Sequence, residues 1–153
     1  MITPVVDSYI KSDVILLRRL IPTHRRTHDS MLKSNKTILL LMSDPLVRSV
    51  VCETLERAGY LVIATGDLGS ALDWLRQSTP DLLITRTYVS SVSGYEAASY
   101  LKAKRPLMRV LILGGLLDDD RLRHRDELAG FEVFPKPYSG AELIAKVNEM
   151  LGG

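Results

Sequence analysis

The sequence predicts an α/β fold in which a parallel sheet is covered by helices on both faces. Three observations lead there. Five short apolar runs recur along residues 37–153, each followed by a segment of helical spacing. The runs are nearly continuous in Val, Ile and Leu, as strands buried on both faces should be, rather than alternating. Residues that start and stop helices punctuate the segments between them.

The first run is Thr37-Ile38-Leu39-Leu40-Leu41-Met42. Asp44-Pro45 then opens a helix, since an aspartate can accept from free amides and proline suits the first helical position. Val47, Val50, Val51, Leu55 and Ala58 recur at helical spacing, and Gly59 is a natural stop. Tyr60 to Thr65 is the second strand. A helix from about Leu68 carries Ala71, Leu72 and Leu75 on one face and ends before Pro80. The third strand is Asp81 to Thr85, closed by Arg86. A loop over residues 87–92 leads to Ser93 and Glu96, a capping box. Arg109 to Leu113 is the fourth strand, ending in Gly114-Gly115. A charged helix headed by Asp118, Asp119 and Asp120 follows, its acids suited to a helix N-terminus. Phe131 to Phe134 is the fifth strand. Ser139 and Glu142 form a second capping box, ahead of a stripe of Leu143, Ile144, Val147, Met150 and Leu151. In open parallel sheets the binding crevice lies beyond the carboxyl ends of the strands. Met42, Ser43, Asp44, Arg86, Gly114 and Lys136 therefore carry the functional questions.

Composition narrows the classes. With 153 residues, 46% hydrophobic and 25% charged, the chain reads as one globular domain (residues 37–153) behind an N-terminal extension (residues 1–36). The single cysteine, Cys52, excludes an internal disulfide and fits a reducing cytoplasm. No apolar run approaches the ~20 residues of a membrane span. A secretory signal is not expected, because Arg18 and Arg19 follow the apolar stretch at Val14 to Leu17 instead of preceding it. Residues 1–36 hold seven Lys/Arg against three Asp/Glu, which leaves 13 against 15, a net −2, for residues 37–153. The domain is not expected to bind nucleic acid directly.

From Lys36 to Leu151 the chain resembles the receiver domain of bacterial two-component response regulators. The resemblance rests on Ile38-Leu39-Leu40-Leu41 before Pro45-Leu46-Val47-Arg48, on Ala58-Gly59-Tyr60, on Pro80-Asp81-Leu82-Leu83, on Gly94, and on Phe134-Pro135-Lys136-Pro137-Tyr138. It implies a flavodoxin-like (βα)5 sandwich with strand order 2-1-3-4-5. It also implies that the two positions which hold Mg²⁺ in receivers are here Met42 and Ser43, and that the phosphoacceptor aspartate is replaced by Arg86. The hydroxyl position after the fourth strand is Gly114, the switching aromatic is Val133, and of that set only Lys136 is kept. A thioether is a poor ligand for so hard a cation, and a guanidinium would repel it, so Mg²⁺ and other cofactors are not expected.

Arg86 and Lys136 invite two readings. They are the nucleus of an anion or nucleotide site to which Ser43, Gly114 and Gly115 add donors, or Arg86 pairs with Asp44 and fills the vacated metal site. The second is favoured here, because a cation without a partner in a crevice is costly. Cys52 reads as a core residue, Trp74 as helix packing, and His24, His28 and His124 lack ligand spacing. In the extension, Asp13 to Ile21 either forms a short amphipathic helix that docks elsewhere, or Met31 is the true start.

The functional expectation is a stand-alone, non-enzymatic pseudo-receiver in phosphorelay-type signalling. It would act through a protein partner or a homodimer, on a face spanning about Leu122 to Leu151 that includes Arg121, Arg125, Val133 and Tyr138.

Overall fold

The computed structural model describes residues 35–114, 131–135 and 138–152. Five parallel strands make the sheet: β1 (Thr37–Leu41), β2 (Leu61–Thr65), β3 (Leu82–Arg86), β6 (Arg109–Leu113) and β7 (Phe131–Phe134). Their order is β2-β1-β3-β6-β7, the 2-1-3-4-5 arrangement expected when the long strands alone are counted. Helices α1 (Pro45–Arg57), α2 (Leu68–Gln77), α3 (Gly94–Lys104) and α4 (Gly140–Leu151) cover it. The predicted helix at Asp118, Asp119 and Asp120 lies outside the described residues, as does the N-terminal extension up to residue 34.

Strand alternation divides the core in two. Ile38, Leu40, Val62, Ile84 and Leu111 face α1 and α4, where Leu55, Leu143 and Val147 meet them. Leu39, Leu41, Ile63, Leu83 and Val110 face α2 and α3, where Leu75, Tyr95 and Leu101 meet them. β1 is buried on both faces, which explains why it reads as an unbroken apolar run. Trp74 is partly buried against the second cluster and Cys52 is buried in the first, as their sequence settings predict.

The helix boundaries follow local chemistry. Asp44 Oδ1 accepts from the amides of Leu46 (2.9 Å) and Val47 (3.3 Å), so the carboxylate starts α1. Ser139 and Glu142 make the full reciprocal box at α4, and Ser93 Oγ accepts from the Glu96 amide at α3. The Tyr60 hydroxyl donates to Asn148 Oδ1 and ties the end of α1 to α4. Lys146 pairs with Glu132 at 2.8 Å and ties α4 to β7.

Three expectations need correction. Val50 is 57% exposed, and the buried stripe of α1 is Arg48, Val51, Cys52 and Leu55. β3 runs one residue later than predicted, so that Arg86 pairs with Leu113 inside the ladder. The stretch 87–92, read as a loop, instead runs into a hairpin of β4 (Tyr88–Val89) and β5 (Val92–Ser93). Two-residue strands leave no periodicity to read. Ser90 turns this hairpin at φ 58°, in the left-handed region.

Candidate functional site

The carboxyl ends of β1, β3, β6 and β7 bring several of the predicted residues to one edge of the sheet. Met42 extends β1 by one residue: its amide donates to Thr65 O at 3.0 Å and its side chain is fully buried. Ser43 is exposed, and its Oγ accepts from the Ser90 amide at 3.3 Å, holding the β4–β5 hairpin against the β1–α1 turn. Asp44 turns away to cap α1.

Arg86 ends β3, half-buried, on the Ile84 side of the sheet and so on the face of α1 and α4. The expected pair with Asp44 is not formed. Among the described residues no ion pair includes Arg86, and Asp44 Oδ1 accepts from the amides of α1. The guanidinium instead acts on Tyr138. Burial pushes the Tyr138 phenol above its ordinary value, and the Arg86 charge partly opposes this. Tyr138 is half-buried and stacks obliquely on Phe134, with ring centroids 5.2 Å apart. Arg86, Phe134 and Tyr138 therefore gather at the carboxyl edge of the sheet.

Two glycines permit this geometry. A Cβ on Gly94 would lie 1.7 Å from Arg86 O, so α3 can begin against the end of β3 only without a side chain there. Gly114 has φ 101°, and its amide donates to Phe134 O at 2.8 Å. The absence of a side chain at this predicted site position therefore has a backbone cause.

Arg48 is a residue that sequence reasoning missed as part of the site. It lies one turn into α1, is 6% exposed, and its Nη1 donates to Met42 O at 2.9 Å. Gly66 makes room, since a Cβ there would come 2.4 Å from Arg48 Nη1. The signal was available: Arg48 falls three and four residues before Val51 and Cys52, on the buried stripe. The edge thus carries two guanidinium groups, one locked under the β1–α1 turn and one at the end of β3.

Val133 and Tyr138, predicted to share an interaction face, point differently. Val133 alternates with Phe134 and lies on the side of Phe131, which meets Tyr95 at 5.3 Å. Tyr138 faces α1 and α4. Lys136, Gly115, Arg121 and Arg125 lie outside the described residues. Among the described residues no three His, Cys, Asp or Glu side chains converge as a metal site would need. No described helix is long and apolar enough to cross a membrane.

Comparison with known proteins agrees with the fold. The response regulator receiver domain family matches residues 38–148. The chain is 29% identical over 115 residues to the DNA-binding transcriptional regulator NtrC of Bradyrhizobium sp. (strain RP501 Parasponia), covering 75% of this chain and 24% of that protein. It is 26% identical over 119 residues to the phosphate regulon transcriptional regulatory protein PhoB of Escherichia coli (strain K12), covering 76% of this chain and 52% of that one. The chain thus spans a quarter to a half of these relatives. A two-component response regulator from Clostridium difficile superposes with a TM-score of 0.67 at 17% identity, over 77% of this chain and 97% of that one.

Proposed function

The chain belongs to the response regulator receiver domain family, and from that premise we propose that it is a pseudo-receiver, signalling without phosphorylation through contact with a protein partner. The observation that carries this is Arg86 at the end of β3. The resemblance assigns that position to the phosphoacceptor aspartate, and a guanidinium cannot take a phosphoryl group.

The neighbouring positions support the same reading. Phosphoryl transfer depends on a metal ion and placed charges to stabilise the moving group. Mg²⁺ needs close oxygen ligands in octahedral array. At the matching positions stand the buried thioether of Met42 and the single hydroxyl of Ser43, and Asp44 is committed to α1. These residues do not fit the ion. Gly114 offers no hydroxyl to follow a phosphoryl group. The domain then works in the cytoplasm as a binding module and not as an enzyme. Its contact face, for a partner or a second copy, runs over about Leu122 to Leu151 with Arg121, Arg125 and Tyr138; Val133, on the Phe131 side of β7, falls outside it.

Affinity capture tests this, with wild-type bait beside Arg86→Ala and an Arg121→Glu/Arg125→Glu double variant, each with and without acetyl phosphate and Mg²⁺. A partner held equally under both conditions, kept by Arg86→Ala and lost by the double variant, is the expected result. A partner captured only after phosphoryl donor is added would contradict it.

One observation favours a second reading. Because no ion pair of the described residues neutralises Arg86, the crevice suits an anion or nucleotide held by Arg86 with Ser43, Gly114, Gly115 and Lys136. Calorimetric titration with inorganic phosphate and with a mononucleotide separates the two readings. Saturable heat lost in Arg86→Ala would favour the sensor, and absence of heat would leave protein contact as the function.

A further inference from the structure

On the other face of the sheet the last turns of α2 and α3 enclose a cleft of about 210 Å³, lined by Leu72, Leu75, Arg76, Tyr100, Lys104 and Arg105. Three of these are cations and none is an acid, in a domain whose residues 37–153 carry a net −2. We propose that this cleft docks an acidic segment of a partner protein through one large apolar side chain.

Cations often gather at helix C-termini because carbonyls point outward there. Arg105 meets that need by itself: its Nη1 donates to Lys104 O at 2.9 Å and its Nη2 to Leu75 O, clamping both helix ends. The other two cations are placed differently. Lys104 Nζ stands 4.9 Å from the centroid of the Tyr100 ring, over its face. Arg76 reaches Asp73 at 2.8 Å, but both side chains are well exposed, and water leaves such a pair weak enough for a partner carboxylate to compete. Even counting Asp73, the cleft keeps a surplus of positive charge.

Between the cations lies an apolar floor. Leu75 is buried, Leu72 is half-buried, and Tyr100 leaves half of its surface in water. Leu107, 95% exposed, sits on the turn just beyond Arg105. Size decides the class of occupant. The volume is below the ~300–1,000 Å³ of typical small-molecule sites, and it suits a single anchoring side chain of the kind that dominates protein interfaces. An apolar anchor on Leu72, Leu75 and Tyr100, flanked by carboxylates toward Arg76 and Lys104, matches both shape and sign.

The inference rests on the reading that this domain acts by protein contact, and it names the chemistry of a partner on a face separate from Tyr138. A random-peptide phage library selected on the full chain, with counter-selection on an Arg76→Glu/Lys104→Glu double variant, tests it. Recovered peptides should place at least two Asp or Glu around one Leu, Ile, Phe or Trp. As fluorescein-labelled probes they should bind the wild type and weaken about tenfold or more on the double variant and on Tyr100→Ala, and at high salt. Circular dichroism confirms that the variants fold, all three positions being exposed. No enrichment, peptides without acids, or equal affinity for the double variant would overturn the proposal. So would concentration-dependent dimerisation abolished by the double variant, which assigns the cleft to a second copy. Phosphoryl uptake would defeat the proposed function while leaving peptide binding unaltered, so the two failures are distinguishable.

Discussion

Two arginines at the carboxyl edge of the sheet do opposite jobs. Arg48 is buried and donates to Met42 O, a carbonyl that has left the β1 ladder. Its truncation strands a buried acceptor, so Arg48→Ala should cost about 2–3 kcal/mol in urea denaturation. Arg86 has no such duty among the described residues, and Arg86→Met should change stability by no more than about 1 kcal/mol. The same substitution removes the charge that opposes burial at Tyr138, so the Tyr138 phenol should titrate at higher pH than in the wild type. Nuclear magnetic resonance titration reads this directly, and an unmoved Tyr138 would place the guanidinium elsewhere. Gly94 is the stricter position. A methyl group 1.7 Å from Arg86 O must displace either α3 or β3, and Gly94→Ala should cost at least about 1–3 kcal/mol.

At the scale of elements, much was legible because one local signal decided each outcome. Continuous apolar runs gave the strands, and Asp44, Ser93 and Ser139 gave the helix starts. What stayed hidden depended on competition between uses of one group. Asp44 could pair with Arg86 or cap α1, and the amides of Leu46 and Val47 are closer in sequence and otherwise unsatisfied. Arg48 hid on an apolar stripe because a long cationic side chain is ordinarily read as a surface residue. The β4–β5 hairpin hid because its two-residue strands carry no pattern, and its turn residue Ser90 holds a conformation usually left to glycine. Ser90→Gly should therefore stabilise the domain, by about 1 kcal/mol in thermal or urea unfolding. A destabilised variant would show that the Ser90 side chain contributes contacts outweighing that strain.

For the whole molecule, the carboxyl edge of the sheet and the α2–α3 cleft lie apart, and the core between them is apolar on both faces. Alkaline pH probes its integrity. Burial raises Tyr60 and Tyr138 above their usual value of 10.0, and the hydrogen bond to Glu132 chiefly raises Lys146 above 10.5. Each holds its proton to higher pH in the folded state than in the unfolded one, so the associated stability is complete below about pH 10 and lost as pH climbs through the folded values. Urea midpoints should be flat from pH 7 to 9 and fall beyond about pH 10. A midpoint rising across that range would contradict the assignment. The central claim is that this receiver fold signals without phosphate. The most direct test is intact-mass spectrometry of the native chain after incubation with acetyl phosphate and Mg²⁺, beside an active receiver as positive control. The account predicts an unchanged mass while the control gains a phosphoryl group. A labile phosphoryl adduct on the wild-type chain would contradict it.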